Sequence, residues 1–331
     1  MDLRVVHVDA AREWRGGQTQ LLHLVRRAPH AVVVAEDAPL RRSLEAAGVR
    51  VVPVRFRGRL WGGLALRRVI ADLGADLVAA HDGHGAALAL RYLGVPVVVH
   101  RRVDFAPSAL GFARYRRAAG VIAVSGAVAA VLRRGRVERI RVVHDAVDAG
   151  PFLEATPDPG LRAEVGPGPL AVAVGALVDH KGHAVLIRAA ARLPDLRVAI
   201  LGEGPRREGL AALARDLGVA DRVQLLGSRG DVPRWLASAD VFVHPSVEEG
   251  LGQAVIEAGL AGIPIVATTA GGIPEIGVGR LVTPGDPEAL AGAIRAALAD
   301  PRTADRAALA DRFSIDRLIA ATFDAYAEFA G

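Results

Sequence analysis

"VFVHPSVEEGLGQAVIEAGLAGIPIVAT", residues 241–268, packs three elements into one short stretch. A β-branched run at 241–244 stops at Pro-Ser, an acidic turn rich in glycine follows, and a helix opens near Gln253. A second apolar run, 263–267, closes the stretch. Strand, helix and strand in that order predict a parallel sheet with helices on its faces.

The same alternation runs outward in both directions. In the first half the β-branched runs are 3–8, 31–35, 49–54, 77–81, 95–100, 121–124 and 140–143. Between them lie stretches such as 64–73 and 128–134, with apolar residues at helical spacing. A Pro/Gly-rich interval, "TPDPGLRAEVGPGP" (156–169), interrupts the pattern, which then restarts with runs at 170–174, 197–201, 223–226, 241–244, 263–267 and 280–282. The fold expected is α/β, with two doubly wound domains, 1–148 and 149–312, and a C-terminal helix over 313–331 that packs back on the first. Such sheets bind ligands beyond the carboxyl ends of their strands, which places the expected site in a cleft between the domains.

Composition narrows the function classes. Of 331 residues, 51% are hydrophobic and 23% charged, the balance of a folded domain rather than a disordered chain. Apolar runs such as 31–35 and 170–174 fall far short of a membrane span. Cysteine is absent, so neither a disulfide framework nor a thiolate metal site is available, and a cytoplasmic address is expected. Residues 1–150 hold 24 arginines against 13 acids, whereas the remainder is acidic. A basic half suits an anionic partner, such as anionic lipid or a phosphorylated acceptor. No aromatic-rich nucleic-acid motif accompanies it, so nucleic acid is not an expected partner.

One lysine, Lys181, stands among 40 arginines. It follows the run 170–174 and the turn "GALVDH", and precedes a helical stretch at 184–192. An ammonium and a glycine at a strand-to-helix turn, near free helix N–H groups, suit a phosphate. Lysine is a compact point charge and arginine a planar fork, so a site fitted to one does not readily accept the other. His180 and His183 flank it without a carboxylate partner and read as surface residues, not as a metal site. In the opening stretch, Glu249 precedes the helix and Glu257 lies within it, while Gly250 and Gly252 let a backbone approach a ligand.

"VGALVDHKG", "LGEGP", "VQLLGS", "HPSVEEGLGQAVIEAGLAGIPIVAT" and "GGIPEI" occur in the order and spacing of family 4 of the retaining glycosyltransferases. The chain resembles that family most densely over 170–291. "WRGGQTQ" (14–20) is similar to its first-strand glycine loop, and "VIAVSGAV" (121–128) to another of its runs. The resemblance implies the GT-B fold, two Rossmann-like domains facing across a cleft. It implies transfer of a sugar from a nucleotide-diphosphate sugar, UDP-linked before GDP-linked, to an acceptor hydroxyl, such as that of a cell-envelope glycolipid or polysaccharide precursor. Carried over residue by residue, Lys181 neutralises the donor diphosphate, and the amides around Gly250, Leu251 and Gly252 bind its sugar and phosphate. Glu257 accepts from the ribose, Glu249 and His100 face the donor sugar, and Gly16 and Gly17 close over the phosphates.

The sequence departs from the family at Ala176, where an arginine usually pairs with the lysine. Arg15, beside the glycine pair, Arg102, after His100, and Arg206, after "LGEGP", are the candidates to replace it. His81, in "AHDGHG" (80–85), is a candidate acceptor contact. The stretch 54–69 mixes arginine with Phe56, Leu60 and Trp61, a pattern that fits peripheral contact with an anionic membrane at its inner face. No Asp-x-Asp pair presents itself for a phosphate-bound metal, so neither metal nor other cofactor is expected. A sugar-nucleotide epimerase of the same fold and a non-catalytic binder of anionic ligands are the alternatives.

Overall fold

The computed structural model describes residues 3–14, 16–27, 30–56 and 58–331. The chain forms two units, Met1–Ala146 with Ile315–Gly331 and Val147–Ser314. The C-terminal segment is thus part of unit 1, and the expected limits at 148 and 312 each move by two residues.

Unit 1 carries β1 (Val5–Asp9), β2 (Ala31–Ala35), β3 (Arg50–Val54), β4 (Leu77–Ala80), β5 (Val97–Arg101), β6 (Gly120–Ala123) and β7 (Ile140–Val142). They pair in parallel in the order β3-β2-β1-β4-β5-β6-β7. Unit 2 carries β8 (Leu170–Val174), β9 (Arg197–Leu201), β10 (Val223–Gly227), β11 (Val241–His244), β12 (Ile265–Thr268) and β13 (Arg280–Val282). Its sheet is likewise parallel, in the order β10-β9-β8-β11-β12-β13. Each unit is a Rossmann-like doubly wound sheet.

Strands covered on both faces read as unbroken apolar runs, and β2 and β4 are buried at every position. The edge strand β3 is mostly open and tolerates Pro53, as an edge can. Both sheets reverse their winding at one point, between β1 and β4 in unit 1 and between β8 and β11 in unit 2. The connections leaving those strands therefore diverge and open a crevice at each switch point.

The helix Ile315–Ala330 buries Leu318, Ala325, Tyr326 and Phe329 against Val5, Leu77, Ala79, Val98 and Ile122 of unit 1. A full burial of one such side chain stabilises by about 1.5–3 kcal/mol. Phe329 lies so close to β6 that a Cβ on Gly120 would stand 2.3 Å from its ring. Only glycine at 120 leaves room for it.

Candidate functional site

The switch point of unit 2 brings together two turns that are far apart in the chain. After β8, residues 175–182 form a turn that ends in a short 3-10 segment, Asp179–Lys181. After β11, residues 245–252 form the turn that starts the helix Gln253–Ala261. Val247 N–H donates to the His180 carbonyl at 2.8 Å and stitches the turns to each other. Gly182 adopts φ +67°, and a Cβ there would stand 2.0 Å from the Pro245 carbonyl oxygen. The glycine of "KG" is needed for that approach.

Stitched in this way, Lys181 Nζ lies 2.6 Å from Glu249 Oε2. The same oxygen accepts from His244 Nε2 at 2.9 Å and from Ser246 Oγ at 3.3 Å. Ser246 is held in turn by Thr268 Oγ1, which donates to its carbonyl at 2.6 Å. Burial alone would raise the Glu249 carboxyl. The hydrogen bond from His244 and the charge of Lys181 outweigh it and hold the group well below the usual carboxylate range.

Gly250, Leu251 and Gly252 follow at once, all buried, with Gly252 at φ +100° preceding the first helical residue. The first N–H groups of this helix have no intrahelical acceptor and point toward the turn. Glu257 sits one turn inside the same helix. Burial pushes its carboxyl up to about 7, and among the described residues no cation or donor reaches it. A carboxyl desolvated in this way accepts strongly from any hydroxyl brought to it.

Ala176 is exposed on the Lys181 turn. The loop 202–206 packs directly on that turn: Arg206 N–H donates to the Leu177 carbonyl at 3.0 Å. A Cβ on Gly202 would stand 2.0 Å from the Gly175 carbonyl oxygen. Arg206 Nε reaches Asp179 Oδ1 at 2.9 Å, and both side chains are more than half exposed. Such a pair holds weakly and exchanges easily. His183, expected at the surface, is instead buried at 3% exposure, because the helix His183–Ala190 turns its first residue onto Gly175. Among the described residues, neither ring nitrogen has a partner at hydrogen-bonding geometry. Burial lowers its pKa to about 4, and the neighbouring Gly175 and Ala176 backbone offsets this only in part.

In unit 1, Gly16 and Gly17 open the helix Gly16–Val25 beyond β1. Gly17 lies against Arg102: a Cβ there would stand 3.7 Å from the Arg102 Cδ and Nη1 atoms. Arg102 Nε donates to Asp145 Oδ1 at 3.0 Å, while its Nη1 is buried without a partner. Arg15 lies outside the described residues. His100, at 7% exposure, has its Nε2 2.7 Å from the Tyr326 hydroxyl, and its ring stacks on His81 with centroids 4.2 Å apart. His81 Nε2 in turn meets His7 Nδ1 at 2.9 Å. Burial drives all three imidazoles neutral: the His7 pKa falls to about 3, and those of His81 and His100 lie well below the ordinary value. His81 and His100 are thus brought together in the interior, under the C-terminal helix. Within 54–69, Phe56 is buried rather than interfacial, whereas Leu60 and Trp61 are 56% and 72% exposed.

Sequence reasoning gave no role to His244, Ser246, Asp145 or Gln18. The usable signal was a polar residue ending an apolar strand. His244 ends β11, and Asp9 ends β1, where its carboxylate accepts from Gln18 Nε2 at 2.9 Å. Among the described residues no cluster of three or more histidines and carboxylates is arranged to hold a metal ion.

Two family models match the chain: "Glycosyltransferase Family 4" over residues 14–150 and "Glycosyl transferases group 1" over residues 168–300. The 2-deoxystreptamine glucosyltransferase of Streptomyces kanamyceticus is 33% identical over 291 residues, 73% of this chain and 74% of that protein. The lipopolysaccharide core biosynthesis glycosyltransferase LpsE of Rhizobium meliloti is 39% identical over 136 residues, a match that spans only 40% of either chain. The solved structure of Anabaena Alr3699/HepE in complex with UDP superposes with a TM-score of 0.86 at 24% identity, over 98% of this chain and 100% of that one. The chain belongs to the glycosyltransferases of the GT-B fold.

Proposed function

We propose that the protein transfers a sugar, with retention at the anomeric carbon, from a nucleoside-diphosphate sugar to an acceptor hydroxyl. The observation that carries this reading is the Lys181–Glu249–His244 cluster beside the amino end of the helix Gln253–Ala261. Positive charge and aligned N–H groups meet there at the switch point of the sheet, where a leaving diphosphate gains most from fixed dipoles. Arg206, on the loop packed against that turn, supplies a second cation once its exposed pair with Asp179 opens.

In this reading the bond between the anomeric carbon and the β-phosphate oxygen breaks, and the acceptor oxygen bonds to the same face of that carbon. The acceptor proton passes to the departing phosphate oxygen. Glu257 receives the ribose hydroxyls, and Glu249 with its partners faces the sugar. Unit 1 serves the acceptor side, with its Gly16 and Gly17 assigned to the donor phosphates and Arg102 to a phosphate or acceptor contact. The acceptor belongs to cell-envelope glycolipid or polysaccharide chemistry, a reading supported by the likeness to LpsE, a glycosyltransferase of lipopolysaccharide core biosynthesis. The transfer needs no divalent ion.

Thermal protection across a panel of UDP-, GDP- and ADP-sugars, with and without EDTA, tests the reading. A bound donor at a hundred times its dissociation constant adds about 2.7 kcal/mol of stability. Lys181→Ala should abolish that protection while EDTA leaves it unchanged. If no nucleotide sugar protects the wild type, the reading fails.

A further inference from the structure

The charge excess of unit 1 is concentrated in one region. Residues 114–141 hold eight arginines and a single acid, Glu138. The helix Ala109–Arg116 ends there, and so does the helix Gly126–Arg134. Strands β6 and β7 begin beside them, with β7 at the edge of the sheet.

Contacts make these arginines one surface. Arg116 Nη1 donates to the Gly135 carbonyl at 2.8 Å, and Gly135 lies flush on Phe112, so the two helix ends abut. Arg141 Nε lies 3.4 Å from Glu328 Oε2, and Arg139 covers the Phe329 ring from 5.5 Å. Arg116, Arg117, Arg133, Arg134, Arg136, Arg139 and Arg141 are all exposed. Among the described residues no carboxylate reaches Arg117, Arg133, Arg134 or Arg136.

Arginines in a last helical turn or at its cap complement the helix dipole, which accounts for Arg116, Arg117, Arg133 and Arg134 but not for Arg136, Arg139 or Arg141. Arg136 carries a second signal. At φ +58° it is the one non-glycine residue with positive φ among the described residues. A glycine would occupy that position after a helix without strain. An arginine kept there at a cost in stability points to a use outside the fold.

We propose that this corner docks unit 1 on an anionic phospholipid surface. It is built of helix ends and an edge strand. The aromatic rings beneath it, Phe112 and Phe329, are packed against Gly135 and Gly120 and offer no face for base stacking. Unpaired guanidinium groups spread over such a corner match phosphates arrayed on a surface. The corner lies at the end of the sheet where β6 and β7 begin. The connections that leave the carboxyl ends of β1, β4 and β5, with Gly17, His81 and Arg102, lie at the opposite end and stay free.

Co-sedimentation with phosphatidylcholine vesicles, with and without phosphatidylglycerol, tests the proposal independently of any donor. Wild type should bind only the anionic vesicles and release them in molar salt, where the screening length shrinks to about 3 Å. Arg133→Gln with Arg134→Gln, and separately Arg117→Gln with Arg136→Gln, should each cut binding at least about fivefold with Tm nearly unchanged. Arg136→Gly should weaken binding while raising Tm, the reverse of what a structural arginine would do. Equal binding to neutral vesicles, or none to anionic ones, overturns the proposal. So does loss of binding on Trp61→Ser with the arginine variants unaffected, or displacement of the vesicles by duplex DNA at equal phosphate.

Discussion

Two glutamates separated by seven residues meet opposite electrostatic surroundings. Glu249 is ionised and clamped by Lys181, His244 and Ser246, whereas Glu257 is half-buried, with its carboxyl desolvated and no compensating partner among the described residues. They are therefore expected to fail differently. Glu257→Ala should weaken sugar nucleotide and free nucleotide alike, because it removes an acceptor for the ribose they share. Glu249→Ala should cut kcat while leaving free-nucleotide affinity nearly unchanged. Isothermal calorimetry alongside initial rates separates the two, and the reverse pattern would refute the roles assigned to them. The clamp was only partly legible beforehand. Lys181 stands out by its isolation among arginines and Glu249 by its glycine-flanked turn, but nothing local says that one lies 2.6 Å from the other.

At the scale of elements, the helix Ile315–Ala330 holds the unit 1 core and the histidine stack together. Tyr326 is fully buried, and its hydroxyl is the partner of His100 Nε2. Tyr326→Phe keeps the ring but leaves that nitrogen unsatisfied. It should cost about 1–3 kcal/mol, read as a lower urea midpoint with an unchanged slope. An unchanged midpoint would show that the stack does not depend on the helix. The helix itself was visible as an amphipathic tail. Its return to the first domain was expected too, but not the residues it covers, because the apolar face of a helix records that it is buried and not which side chains bury it.

For the whole molecule, the two units should respond differently to acid. In unit 1, the folded-state pKa values of His7, His81 and His100 lie below their unfolded values. Unfolding takes up protons there, so stability is lost as pH falls below about 6.5, the unfolded histidine value. Burial also raises Asp9, to about 6, and Asp145, and these two oppose the loss, against four histidines once His30, likewise lowered by burial, is included. In unit 2 the shifts nearly cancel. Stability from His183, lowered to about 4, is lost over the range in which Glu257, raised to about 7, contributes more. Hydrogen exchange between pH 7.5 and 5.5, corrected for intrinsic rates, should show protection falling in β1–β7 and holding in β8–β13. Parallel loss in both units would contradict the assignment.

The elements themselves were written in the sequence. Among the described residues, the 13 strands coincide with β-branched runs to within two residues at either end, because backbone sterics and the apolar demand of a sheet covered on both faces act over a few neighbouring residues. Tertiary structure alone decided which ends meet. Lys181 and Glu249 are 68 residues apart, and His100 and Tyr326 are 226 apart. Each pair depends on strand order and on the burial of a distant face, which no local window records. The same holds for His183: its sequence neighbours place it on an exposed turn, but the helix it opens turns it onto Gly175 and into the interior. Propensity and periodicity are local energies, whereas burial and pairing belong to the assembled chain.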